Sequence, residues 1–135
     1  MAVIDASVAV EFVAGAAHAH LAAERLRAEA GNLWAPHLVD AESGHALRRL
    51  ADSGKLRAAI ARSALDDLAA LPIRRVAHTA LLHRAWRHRR NLSFYDALYL
   101  ALAEELDSRV LTFDARFARG APSARVEVLL DAAGA

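Results

Sequence analysis

The chain contains no cysteine. Disulfides and thiolate metal sites are therefore excluded, which agrees with a reducing cytoplasm. It also lacks an apolar run that could span a bilayer, for which about 20 consecutive apolar residues are needed. The hydrophobic opening MAVIDASVAVEFVAG has no basic n-region and is interrupted by Asp5 and Glu11, so a signal peptide is not expected. Net charge is small, +1. The field of the whole molecule therefore selects neither a nucleic acid nor an acidic partner. There is no G-x-x-x-x-G-K-[ST] loop, no G-x-S-x-G elbow, no G-x-G-x-x-G fingerprint and no H-E-x-x-H pair. The histidines, His18, His20, His37, His45, His78, His83 and His88, are scattered, and His83 and His88 lack the spacing of a helical zinc pair.

What is present is a globular composition: 135 residues, 56% hydrophobic and 24% charged, with the positive residues nearly all arginine. No repeat or linker interrupts it, so residues 1–135 are expected to form a single domain. Short apolar runs alternate with helical patterns, which predicts an α/β fold with a mostly parallel sheet. The expected strands are Ala2–Asp5, Leu33–Ala35, Arg74–Ala77, Arg109–Thr112 and Arg125–Leu129. The expected helices begin near Ser7 and then run Ala17–Ala30, His37–Ser53, Lys55–Leu71, Thr79–Arg90, Ser93–Leu106 and Asp114–Arg119. The order is βααβααβααβαβ.

In right-handed parallel units, ligands bind beyond the carboxyl ends of the strands. Asp5 closes the first strand, and Asp114 lies two residues past the fourth. Glu42 is in the opening turns of the third helix and Asp96 in the first turn of the Ser93 helix. Topology therefore allows all four acids to share one rim. Clustered carboxylates raise one another's pKa unless cations are present, and hard divalent ions prefer such oxygen donors. A site of this kind suits in-line attack on a phosphodiester. Each acid also has an ordinary reading. Asp96 completes an S-x-x-D capping pattern with Ser93, Asp114 fits an N-cap, Glu42 fits a solvated helix surface, and Asp5 fits a turn.

Four segments, VIDASVAV, APHLVDAESGHALRRL, SFYDALYLALAEEL and VLTFDARFAR, resemble in order and spacing the blocks of VapC toxins, PIN-domain ribonucleases of bacterial toxin–antitoxin pairs. The resemblance implies a three-layer PIN-like fold with about five strands. It implies Mg2+ or Mn2+ as cofactor, with Asp5 and Asp96 as leading ligands and Glu42 and Asp114 completing the acidic pocket. It makes Asp114 a further metal residue and gives Ser7 and Thr112 supporting places beside the acids. No fifth acid follows Asp114; Arg116 occupies that stretch. An RNA substrate, a VapB-type antitoxin, a homodimer and a cytoplasmic location follow from the same resemblance. Two alternatives stay open. One is another Mg2+-dependent phosphoryl-transfer enzyme, although Asp5-Ala6-Ser7 departs from the D-x-D of aspartyl phosphatases. The other is a silent PIN module that binds RNA or a partner without cutting.

Outside these blocks, Asp40 is expected at the surface or in a cap, Glu11 in solvent, and Glu104-Glu105 solvated far down its helix. Arg84-Ala-Trp86-Arg87-His88-Arg89-Arg90 reads first as a helix with Trp86 buried. Arginines holding RNA phosphates beside a stacked Trp86 are the functional alternative. Arg48, Arg49 and Arg57 form a second candidate patch.

Overall fold

Five short strands form, the central ones from buried, mainly apolar runs and the edge ones, RRV and VEV, from more polar residues: β1 (Ala2–Ile4), β2 (Leu33–Pro36), β3 (Arg74–Val76), β4 (Val110–Thr112) and β5 (Val126–Val128). The computed structural model describes residues 1–130. The strands make one sheet in the order β3-β2-β1-β4-β5, and every pairing is parallel. Parallel neighbours cannot be joined by hairpins, so helices make every crossover. These helices are α1 (Ala6–Ala14), α2 (Ala19–Ala28), α3 (Leu38–Asp52), α4 (Ala58–Ala70), α5 (Leu82–Trp86), α6 (Phe94–Glu105) and α7 (Ala115–Arg119).

The first two crossovers step from β1 to β2 to β3, and the next returns past β1 to β4. With right-handed connections, this reversal puts α1–α4 on one face of the sheet and α5–α7 on the other. The packing agrees: α1 touches α2, α3 and α4, whereas α6 lies against α5 and across β1, β2 and β4. Three layers result, as expected. The run from Thr79 to Arg90 departs from the single helix expected. A 3-10 turn at Thr79–Leu81 leads into the short α5, and hydrogen-bonded turns carry the chain to Asn91. Leu81 and Ala85 are its buried residues and anchor it on the core. Among the described residues, no single helix is long and apolar enough to cross a membrane.

The central helix α6 is buried on all sides along Ala97–Ala103. Such a helix shows little amphipathic periodicity, because neighbouring elements cover it all round. Its small alanines let the sheet approach, and Tyr99 is its one buried residue with a polar head. The entry to α6 is held by a close contact behind it. A Cβ built on Gly120, at the end of α7, would stand 2.4 Å from the Asn91 carbonyl oxygen and 2.6 Å from Leu92 Cδ2. Gly120→Ala is therefore expected to cost about 1–3 kcal/mol by overpacking. It should lower Tm in circular-dichroism melting by several degrees, and an unchanged Tm would show that the Asn91–Leu92 turn yields freely.

Candidate active site

The chain leaves β1 toward β2 and leaves β4 toward β5, so the carboxyl ends of β1 and β4 border a topological switch point. Open α/β sheets leave a crevice at such a point. Asp5 follows β1 directly and Asp114 lies two residues beyond β4, one on each side of it.

Asp5 is only 6% exposed. It N-caps α1, with Oδ1 accepting the Val8 amide at 3.2 Å. The same oxygen accepts the Ser7 hydroxyl at 2.6 Å, and the buried Thr112 hydroxyl donates to Oδ2. Ser7 Oγ in turn accepts the Phe113 amide at 2.8 Å, and Thr112 Oγ1 accepts the Asp114 amide at 2.9 Å. The two hydroxyls thus stitch the end of β1 to the exit of β4. Burial pushes the Asp5 carboxyl up to about 6; the Ser7 and Thr112 hydroxyls and the Val8 amide pull it down, and Asp96 pushes it up.

Asp96 sits in the first turn of α6, where Ser93 Oγ accepts its amide at 3.1 Å. Burial also raises its carboxyl to about 6, helped by Glu42 and Asp114 and opposed by Ser93 and Arg116. Glu42, on α3, accepts the Tyr99 hydroxyl at 2.7 Å through Oε1. Tyr99 is buried, and its hydroxyl is held protonated by that burial and by Glu42, Asp5 and Asp96. Asp114 N-caps α7 by accepting the Arg116 amide at 2.9 Å, and the Arg116 side chain lies 3.7 Å from it. Asp96 is thus within electrostatic reach of Asp5, Glu42 and Asp114. Asp5 and Asp114 also cap helices through their carboxylates, whereas Ser93 caps the Asp96 amide, and Glu42, read as solvated surface, instead accepts from buried Tyr99.

Among the described residues, no three His, Cys, Asp or Glu side chains converge closely enough to chelate an ion unaided. The donors facing the crevice are nevertheless carboxylate and hydroxyl oxygens, the set that suits Mg2+ or Mn2+. Mg2+ commonly uses one or two carboxylates and keeps several waters, so an open arrangement of this kind fits it. The raised carboxyls mark a site short of positive charge.

Other candidates fall elsewhere. Asp40 makes a two-pronged pair with Arg75, at 2.7 and 3.0 Å. Glu11 lines the cleft beside the acids and also accepts the His18 amide at 3.1 Å. Glu104 and Glu105 are paired and not simply solvated: His88 lies 2.9 Å from Glu104, and Arg84 donates to Glu105 at 3.0 Å. These contacts hold the basic stretch beside the far end of α6, eight to nine residues from Asp96 or about 12 Å along its axis. Trp86, read as buried, is 57% exposed, with the Arg89 guanidinium over its ring. Short α5 turns its one buried residue, Ala85, to the core and leaves the adjacent Trp86 outside. Sequence reasoning passed over Tyr99. The signal was there, since Tyr99 follows Asp96 by three residues and so shares its helix face.

A five-stranded parallel sheet ordered 3-2-1-4-5, with carboxylates around its switch point, is the architecture of a PIN domain. The PIN domain family profile matches residues 2–121. Ribonuclease VapC1 of Mycobacterium tuberculosis is 43% identical over 129 residues, covering 95% of this chain and 96% of that protein. The chain belongs to the VapC family of PIN domains. Two solved structures share the fold. VapC20 of M. tuberculosis, described as a Sarcin-Ricin loop cleaving toxin, has a TM-score of 0.65 at 24% identity, covering 88% of this chain and 94% of its own. VapBC2 from Rickettsia felis, bound to a DNA fragment from its promoter, has a TM-score of 0.67 at 15% identity, covering 94% and 97%.

The raised carboxyls tie stability to pH. Asp96 moves from 3.8 to about 6 on folding, so the folded chain binds more protons than the unfolded chain between those values. The resulting penalty on the metal-free fold is complete above about pH 6 and fades as pH falls toward about 4. Asp96→Asn is expected to raise the Tm of the metal-free protein at about pH 7.5 and to raise it less at about pH 5. Equal gains at both values, read by thermal unfolding in EDTA, would contradict the electrostatic account.

Proposed function

We propose that this chain is an Mg2+- or Mn2+-dependent endoribonuclease, the toxin of a VapBC-type pair, with residues 1–135 acting as a single PIN domain. The observation that carries the reading is the gathering of Asp5, Glu42 and Asp114 about Asp96 at the switch-point crevice. The curated relative at 43% identity is itself called a ribonuclease.

Asp5, Asp96 and Asp114 would hold the ion, with Glu42 completing the acidic pocket. A bound ion supplies activation of water and neutralisation of the charge that builds on a phosphodiester under attack. The chain supplies orientation. Ser7 and Thr112 fix both oxygens of Asp5, and Tyr99 fixes one oxygen of Glu42. The N-termini of α1 and α6 add positive dipole ends on the same rim. A VapB-type antitoxin would restrain the activity by covering this pocket; the Rickettsia felis structure of the same fold is itself a VapBC. A homodimer working in the cytoplasm completes the proposal; alanine-rich helix faces are compatible with close packing between copies.

Purified protein should cleave RNA with Mg2+ or Mn2+ and stop on addition of EDTA. Asp5→Asn and Asp96→Asn should each reduce cleavage to background while retaining the circular-dichroism spectrum. Cleavage that persists in both variants and remains EDTA-sensitive would refute this ligand set. Calorimetric Mg2+ titration should give a binding heat that Asp96→Asn removes. Tyr99→Phe leaves Glu42 without its donor and is expected to lower metal affinity or cleavage about 10–100-fold, the usual effect of losing an outer-shell partner. Wild-type values in that variant would reduce Tyr99 to a packing residue.

A further inference from the structure

A cleft of about 990 Å3 opens beside the carboxylates and runs away from them along α3. Glu42, His45, Ala46, Arg49, Leu50 and Ser53 line it. Their spacing by three and four residues makes one face of α3 a continuous wall. At 1.5 Å per residue, Arg49 stands about 10 Å along the axis from Glu42. Lys55 extends the wall from the α3–α4 turn. Gly54 makes that turn with a φ of 76°, a conformation that side chains with a Cβ rarely adopt. Asp114 and Tyr95 also line the cleft, and Tyr95 is 60% exposed.

The charges along this wall are divided. Glu42 is acidic, whereas Arg49 and Lys55 are the two permanently cationic residues of the lining. Both are exposed, and neither side chain makes an ion pair or hydrogen bond among the described residues. Arg48, one position away, is absent from the lining and pairs instead with Asp52 at 3.7 Å on another face. The denser Arg84–Arg90 run is held toward the opposite end of α6 by Glu104 and Glu105. Of the two basic patches in the sequence, the sparser one therefore borders the carboxylates, through Arg49 only.

We propose that Arg49 and Lys55, with His45 between Arg49 and Glu42, hold phosphates of the single-stranded RNA that flanks the bond being cut, and that Tyr95 stacks on a base at the carboxylate end. The proposal deepens the ribonuclease reading and rests on it. Guanidinium forks match phosphate oxygens, while a flexible lysine serves as a point charge. An exposed tyrosine offers a stacking face that every base can use. A strand laid along α3 would then carry one phosphate to the acids while its neighbours lie on cations.

The test measures anisotropy of a short fluorescein-labelled single-stranded RNA in EDTA, across a salt series, together with steady-state cleavage in Mg2+. It compares wild type, Arg49→Ala/Lys55→Ala, Arg48→Ala and Tyr95→Ala, each verified by melting temperature. The double variant should bind about tenfold or more weakly at low salt. Its log K against log salt should lose about 1.4 of slope, from ~0.7 per phosphate contact. In cleavage, its KM should rise while kcat stays near wild type. Tyr95→Ala should weaken binding about fivefold or more with the slope unchanged, as expected for stacking. Arg48→Ala should match wild type.

An unchanged slope and affinity in the double variant would overturn the proposal and leave the wall to the carboxylates of a protein partner. An equal loss in Arg48→Ala would overturn it in favour of diffuse attraction, and failure of wild type to bind RNA would overturn it outright. The two readings separate in the same experiment. Slope-dependent RNA binding without cleavage keeps the phosphate wall and removes the ribonuclease, whereas cleavage with an unchanged slope does the reverse.

Discussion

Asp96 stands within repelling reach of Asp5, Glu42 and Asp114 around one crevice, and Asp5 is buried there as well. Burying an ionised group is costly unless hydrogen bonds or opposite charge compensate. Three donors, the Val8 amide and the Ser7 and Thr112 hydroxyls, converge on Asp5 and answer part of that cost. They do not remove it, since burial still outweighs them and the carboxyl stays high. The residual deficit of positive charge makes a hard cation the natural complement. Much of the surrounding architecture can be read as the frame that holds the repelling groups in place.

That frame is stiff for identifiable reasons. Ser7 and Thr112 link the exits of β1 and β4, the two strands bordering the switch point. The fully buried stretch of α6 fixes the direction in which Asp96 enters the crevice, and Tyr99 from the same helix reaches Glu42 on α3. One hydrogen bond thereby joins helices from opposite faces of the sheet. The caps serve the same end: Asp5, Ser93 and Asp114 each start a helix at this rim. Where a helix begins decides where its first-turn acid stands.

The contrast between the two basic patches shows how pairing redistributes charge. Arg84 and His88 are engaged by Glu105 and Glu104, and Arg48 by Asp52, so part of each basic patch is neutralised locally. Exposed pairs of this kind contribute little stability. Their consequence here is positional, because the cations left open beside the acids are Arg49 and Lys55. A positive side chain matters to an anionic ligand only where no nearby carboxylate has already taken it.

The order of strands and helices was legible from alternating apolar runs, helix stops such as Gly31 and Pro72, and the Ser93 cap. Those signals are local and need no partner to be read. The rim position of Asp5, Glu42, Asp96 and Asp114 was legible too, because right-handed parallel crossovers leave one edge for strand exits. Local pattern could not decide which side chains meet across the sheet. The Tyr99–Glu42 bond spans 57 positions in sequence and the Thr112–Asp5 bond 107, so both depend on how helices seat on strands. Burial of Trp86 failed as an expectation for the same reason. Helix periodicity names faces but does not say which one a five-residue helix turns to the core. By itself, then, the sequence determined the fold class, the family resemblance and the candidate acids. Tertiary structure alone decided their hydrogen-bond partners, the raised carboxyls of Asp5 and Asp96 and the choice of Arg49 over Arg48, since these depend on long-range contacts and on exclusion of water.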